Sequence, residues 1–317
     1  MKSGVRPTHS QTIRLAFSSP ASSPSLSSHD MIYNRVVNEE ESDEVIQGWR
    51  ESAPYWEKNS ETIHQMLAPI TTSMMEEAGI SSGHAVLDVA GGAGEPSLTI
   101  ARTVEPTGRV VCTDVALEMV CIAARAAERR GLTNVDFAQC TAESLPFSIA
   151  SFDIATSRLG AMFFANPLDG LREMMRVLRP RGRLTLAVWS APDFNPFFRV
   201  VTRVMARHLD SPPEDPLAPG AFRFAGQGEI AALLTEAGAK NVRDRIMDFQ
   251  MAAAVTPEDF WTLRSEMSDT LRRKLALLTS DQLAQVRDEI LEAAQGYFSA
   301  GVMRFPAQVF IATGEKR

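Results

Sequence analysis

The sequence predicts an α/β fold: a doubly wound, mostly parallel sheet of seven strands with a helical lid. Three observations carry that prediction. Ala85 to Pro96 reads as a buried strand, a glycine turn and a helix start. Strand and helix patterns then alternate as far as Trp189. A mostly helical stretch, about 257–296, separates the last two strand patterns. Alternation implies parallel strands under helices on both faces, and right-handed crossovers leave little topological freedom, so the architecture is Rossmann-like. A long helical insertion cannot lie inside the sheet and must pack elsewhere, as a lid.

The elements follow in order. Met1 to His29 is rich in Ser and Pro, carries Lys2, Arg6 and Arg14, and has no acid before Asp30. It cannot bury enough apolar surface to order itself, so residues 1–30 are expected to be a disordered extension. Two readings stay open for it: an organellar targeting segment, or an extension upstream of Met31 as the working start. Residues 31–80 read as an N-terminal helical cap. Its acids at 39–44 suit a helix start, and Trp49, Ala53 and Trp56 share one face. A second helix runs from Ser60 through Met66 to Ala78 and stops at Gly79.

Residues 81–190 form the expected core. Val86, Leu87 and Val89 give the apolar run of a strand covered on both faces. Pro96 suits a first helical position, and a helix over Ser97 to Thr103 aims free N–H groups at the turn. Further strands are expected at Arg109–Asp114, Val135–Ala138, Phe152–Thr156 and Leu184–Trp189, with helices at Leu117–Arg130 and Pro167–Leu178. Residues 191–317 supply a helix at 195–209, a Pro-rich loop at 211–220, a helix at 229–237 and a strand at 241–250. The helical insertion follows, with a break at Ser280-Asp281, and then a last strand at 305–313.

The chain has 317 residues, 44% of them apolar, and a formal charge of −7. The acidic balance and the lack of a long basic run argue against a nucleic-acid partner. No apolar run reaches the ~20 residues of a membrane span. Cys112, Cys121 and Cys140 lie in no metal-ligand spacing, so no metal site is expected; they read as thiols in a reducing compartment, giving a cytoplasmic expectation. A homo-oligomer is left open.

The chemistry starts at Asp88, Gly91, Gly92 and Gly94. Asp114 lies twenty residues beyond Gly94, at the end of the next strand, where a carboxylate accepts both hydroxyls of a ribose. The dinucleotide pattern G-x-G-x-x-G fails here, because Ser97 stands at the third glycine and Asp88 would repel a pyrophosphate. An acid at that point suits an ammonium. S-adenosylmethionine carries an ammonium, a sulfonium and a ribose but no phosphate, so the charge pattern favours it.

Five blocks then make a resemblance: Val86 to Gly94, Asp114, Ala142 to Phe147, Ser151 to Asp153, and Arg176 to Gly182. With these the chain resembles the class I adenosylmethionine-dependent methyltransferases, in particular the ubiquinone/menaquinone-biosynthesis group, strongly over about residues 84–190. The resemblance implies that Asp88 and the turn Ala90, Gly91, Gly92 and Gly94 hold the methionine end. It puts Asp114 on the ribose, Val115 and Met119 against the adenosine, and Thr141 and Ala142 at the adenine edge. Ser157 and Arg158 stand where cofactor and substrate meet. Two positions depart from the family: Ala90 replaces the usual first glycine, a change in keeping with alanine's small size, and Thr141 replaces a common aspartate.

Methyl transfer is an in-line displacement in which the protein mainly positions the nucleophile, with a base needed only for a weakly acidic acceptor. Candidate bases are His64, His208, Tyr33 and Tyr55, with His64 the first choice. Trp56, Phe163, Phe164 and Phe197 are expected in an apolar acceptor pocket; Trp56 could equally belong to a helix face packing on the core, and the phenylalanines could equally hold the lid down. Arg158 and Arg199 are candidates to meet an anionic acceptor. The expected function is methyl transfer to a small, partly apolar acceptor. The alternative is an adenosylmethionine-binding protein of the same fold with a non-methylating or regulatory role.

Overall fold

The structure is a computed structural model describing residues 38–105, 107–210 and 215–317, with the backbone of 13–15. The expectations for a disordered extension, for a start at Met31 and for Tyr33 as a base lie outside the described residues. The one exception is Ile13–Leu15, a three-residue strand, β1.

Seven long strands appear where the sequence pattern placed them. They are β2 (Ala85–Val89), β3 (Arg109–Asp114), β4 (Val135–Gln139), β5 (Phe152–Arg158), β6 (Leu178–Trp189), β7 (Lys240–Ala253) and β9 (Val302–Glu315). Short strands β1 and β8 (Phe298–Ser299) extend them into one sheet ordered β1-β4-β3-β2-β5-β6-β9-β7, with β8 on β9. The pairings from β1 to β6 are parallel, and those made by β9 are antiparallel. The order reverses at β2, so a crevice opens at the carboxyl ends of β2 and β5, where open α/β sheets bind ligands.

The turn expected at Arg179–Gly182 survives as an irregularity within β6. Phe152 pairs with Leu178 and Ile154 with Arg183, so extra residues bulge out, with Arg181 at φ 66°. The helices are α1 (Glu39–Lys58), α2 (Ser60–Ala78), α3 (Ser97–Val104), α4 (Leu117–Arg129), α5 (Pro167–Val177), α6 (Pro196–His208), α7 (Glu229–Glu236), α8 (Pro257–Met267), α9 (Asp269–Leu275) and α10 (Ser280–Ala294). The insertion is thus three helices. Ser268 adds a break by capping α9, its hydroxyl accepting from the Leu271 amide.

The lid is divided differently from the sequence expectation. Helix α1 covers the crevice, and α8 and α9 pack behind it. Lys58 at the end of α1 reaches Glu266 of α8 at 2.7 Å, and Arg272 of α9 donates to Ser52 of α1 at 2.9 Å. The sheet core is dry: Val86, Leu87, Val110, Cys112, Leu184, Leu186 and Val188 are all 0% exposed. No helix among the described residues is long and apolar enough to cross a membrane.

Candidate functional site

The crevice holds a cavity of about 300 Å³. Its floor is the turn after β2. There the Gly91 amide donates to Thr113 O at 2.9 Å and the Gly94 amide to Gly91 O at 3.0 Å. Ala90 (φ 57°) and Gly92 (φ 55°) are left-handed, and so is Leu159 (φ 61°) from the loop after β5. Those two loops nearly touch: a Cβ on Gly160 would stand 2.5 Å from Ala90 Cβ. The left-handed backbone at position 90 suits glycine, so alanine there carries a cost of about 1 kcal/mol.

Asp114 closes one side. Its Oδ1 accepts the Ala116 amide at 2.9 Å and its Oδ2 the Gly92 amide at 3.0 Å, which leaves lone pairs toward the cavity. Burial pushes its carboxyl up to about 6, against the pull of those amides. Val115, Met119, Cys140, Thr141, Ala142 and Glu143 continue this wall. Burial raises the Cys140 thiol to about 12, so it stays protonated. Trp49 and Trp56 of α1, His64 of α2, and Phe163 and Phe164 after β5 complete the lining, the two tryptophans packing on the cluster of Ala116, Met119 and Ile122. Trp49 meets Trp56 and Phe163 edge-on at 5.8 and 5.0 Å.

The structure thus brings Ala90, Gly91, Gly92, Asp114, Val115, Met119, Thr141, Ala142, Arg158, His64, Trp56, Phe163 and Phe164 to one cavity. Four expected residues do not line it. Asp88 is wholly buried behind the turn; Ser97 Oγ donates to its Oδ2 at 2.5 Å and Thr156 Oγ1 to its Oδ1 at 3.0 Å. It ties the strand end to α3 and β5 beneath the turn. Gly94 is a packing position, where a Cβ would crowd Leu98 and the Ala123 backbone. Ser157 is buried one layer behind the loop of Gly160. Phe197 belongs to the core, edge-on to Phe198, Phe260 and Phe305 at 5.5 Å each.

The other candidates are also placed. His208 pairs with Glu289 at 3.1 Å, away from the cavity, and Tyr55 lies under the Arg272 guanidinium. Arg199 is taken by Asp193 at 2.9 Å. Arg158 donates to Thr71 Oγ1 at 2.7 Å and to Glu95 O at 2.8 Å. Glu95 and Arg130, which the sequence reading passed over, both line the cavity. The available signal was an acid directly after the glycine turn.

Two cavity-lining residues, apart from the His64–Glu95 pair, each carry a buried polar atom without a hydrogen-bond partner: Trp56 Nε1 and Arg158 Nε. Buried polar groups are normally paired, so a ligand with several polar groups fits this cavity better than a plain hydrocarbon. Adenosylmethionine meets that requirement. Among the lining residues, the Asp114 carboxylate offers acceptors of the kind a ribose needs, and Val115 and Met119 offer apolar surface.

Comparison with known proteins agrees with the geometry. The model of the ubiE/COQ5 methyltransferase family matches residues 59–256, more than half of the chain. A protein of Pseudomonas aeruginosa (strain LESB58) named ubiquinone/menaquinone biosynthesis C-methyltransferase UbiE is 37% identical over 134 residues, 42% of this chain and 51% of that one. Its namesake in Pseudomonas putida (strain GB-1) is 38% identical over 119 residues, 37% of this chain and 46% of that one. The chain spans about half the length of the curated relatives it matches. Among solved structures, the YcgJ protein from Bacillus subtilis shares the fold, with a TM-score of 0.51 and 24% identity over 80% of this chain and 99% of that one. Sheet order, glycine turn and family match converge: the chain belongs to the ubiE/COQ5 methyltransferase family.

Proposed function

We propose that this protein transfers a methyl group from S-adenosylmethionine to a small, partly apolar acceptor. The observation that carries the reading is a single cavity lined by two kinds of residue. The Asp114 carboxylate and the glycine turn suit a ribose-bearing donor. The aromatic rings of Trp49, Trp56, Phe163 and Phe164 suit a flat apolar body. The relatives' name refers to ubiquinone and menaquinone biosynthesis, in keeping with a ring-shaped acceptor between those aromatics.

The bound donor supplies a methyl on a positively charged sulfur that leaves as a neutral thioether. The chain's own work is then positional. The turn and Asp114 fix the donor, the aromatic wall fixes the acceptor, and α1 keeps water out. Residues 81–190 form the donor unit in this reading. Residues 31–80 and 191–317 build and brace the acceptor side, with α8 to α10 acting through α1.

The test is turnover. The protein is incubated with adenosylmethionine and a panel of hydroxylated aromatic, quinol and aliphatic acceptors, and adenosylhomocysteine is quantified. Product with the ring acceptors supports the proposal. Tight donor binding without turnover on any of them would favour a regulatory binding protein instead.

A further inference from the structure

Glu95 is fixed from three sides. Its Oε1 accepts from Arg130 Nη1 of α4 at 2.5 Å, and its Oε2 from Thr99 Oγ1 of α3 at 2.7 Å. Its carbonyl accepts from Arg158 Nη2 of β5 at 2.8 Å. Burial would raise its carboxyl, but Arg130, Thr99 and the neighbouring His64 bring it below the usual value, so it stays an anion. Oε1 also stands 3.4 Å from His64 Nδ1, within ion-pair reach although short of hydrogen-bond alignment. Nδ1 is buried, whereas the His64 side chain as a whole is 30% exposed and lines the cavity. A carboxylate beside one ring nitrogen decides which nitrogen carries the proton.

We propose that Glu95 is a positioning residue that holds His64 protonated on Nδ1 and so turns Nε2 to the cavity as a proton acceptor. The inference rests on the methyl-transfer reading and narrows it to acceptors whose reacting atom carries a proton, as a hydroxyl or an activated ring C–H does. In the step, that atom bonds to the methyl carbon as the carbon–sulfur bond breaks, and the bonding pair stays on sulfur. The acceptor's proton passes to His64 Nε2. One positive charge moves from sulfur to imidazolium, where Glu95 stands ready to pair with it. Contacts of this kind are commonly long in the free protein and tighten around substrate.

The first test reads the free protein. In the full chain labelled with 15N-histidine, at about pH 8 where imidazole is ordinarily neutral, the His64 signals, identified by their loss in His64→Gln, should report the Nδ1–H form. Glu95→Gln removes the charge, keeps one oxygen for either Arg130 or Thr99, and should shift His64 toward the Nε2–H form. In turnover, His64→Gln should lower kcat by roughly 100-fold or more and Glu95→Gln by roughly 10-fold or more, with acceptor KM and adenosylhomocysteine affinity changed less than about threefold. An unchanged tautomer in Glu95→Gln overturns the proposal. So does a loss confined to donor affinity, which would mark Glu95 as the contact for the donor's ammonium. If the wild type binds donor but methylates nothing, the methyl-transfer reading fails on its own, while the tautomer result still stands or falls separately.

Discussion

Asp114 Oδ2 accepts the Gly92 amide at 3.0 Å, so the end of β3 is bound to the turn that follows β2. One carboxylate thereby shapes the turn and faces the space where a ribose would lie. Asp114→Ala should weaken adenosylhomocysteine binding by about 2–4 kcal/mol, roughly 30- to 900-fold, because charge-assisted hydrogen bonds to two hydroxyls are lost. Titration calorimetry measures this directly, and an unchanged affinity would refute the assignment.

The same carboxyl sets a pH dependence. Burial holds it at about 6 in the free protein, and ribose hydroxyls bond more strongly to the ionised form, which offers both oxygens as acceptors. Donor affinity should be level above pH 6 and fall as the pH drops through it. Asp114→Asn cannot ionise and should bind weakly without that step. A step that persists in the variant would have to come from another group.

Adjacent glycines should behave oppositely. A Cβ on Gly91 would stand 2.6 Å from Cys112 Sγ and 3.0 Å from Asp88 Oδ2, whereas one on Gly92 meets nothing within 4 Å and enters the cavity. Gly91→Ala should cost roughly 1–3 kcal/mol of stability through overpacking. Gly92→Ala should cost about 1 kcal/mol through its left-handed backbone and should chiefly reduce donor affinity. Thermal melts paired with calorimetry separate the two, and the reverse ranking would be decisive against this picture.

How far the sequence could be read depends on distance along the chain. All seven long strands were legible because each is set by local apolar patterning and local turn residues. The cavity side of Asp114, Val115 and Thr141 was legible because strand ends are ordered by the fold itself. The surroundings of Asp88 were not legible, because its partners, Ser97 and Thr156, come from α3 and β5, and nothing at position 88 announces two hydroxyls. Phe197 and Phe163 both follow strands at the same end of the sheet. Only tertiary packing sends one into the core and the other to the cavity. The cap itself was legible at 31–80, but its bracing by α8 and α9 was not, since those contacts span over 200 residues of sequence.

That distinction between aromatics is measurable. Phe197→Ala should lower stability by about 3–5 kcal/mol and leave acceptor KM unchanged in the folded protein. Phe163→Ala, at the cavity wall against Trp49, should raise acceptor KM with a smaller loss of stability. Denaturant melts and steady-state kinetics on the two variants check both halves.

Asp88 makes the final prediction. Burial raises its carboxyl to about 6, against 3.8 for an ordinary aspartate, despite the Ser97 and Thr156 hydroxyls and the charge of Arg158. The folded state thus holds this proton more tightly than the unfolded chain. The stability it contributes is complete below about pH 3.8 and is lost as the pH rises through 6, a change on the order of 3 kcal/mol. Asparagine keeps an oxygen for one hydroxyl and never ionises. Asp88→Asn should therefore gain on the wild type steadily as the pH rises from 4 to 7, whatever its offset at pH 4. Melting both proteins across that range reads the difference directly. A constant offset would mean that Asp88 ionises in the folded protein as readily as in the unfolded chain, and that its two hydroxyl partners fully replace water.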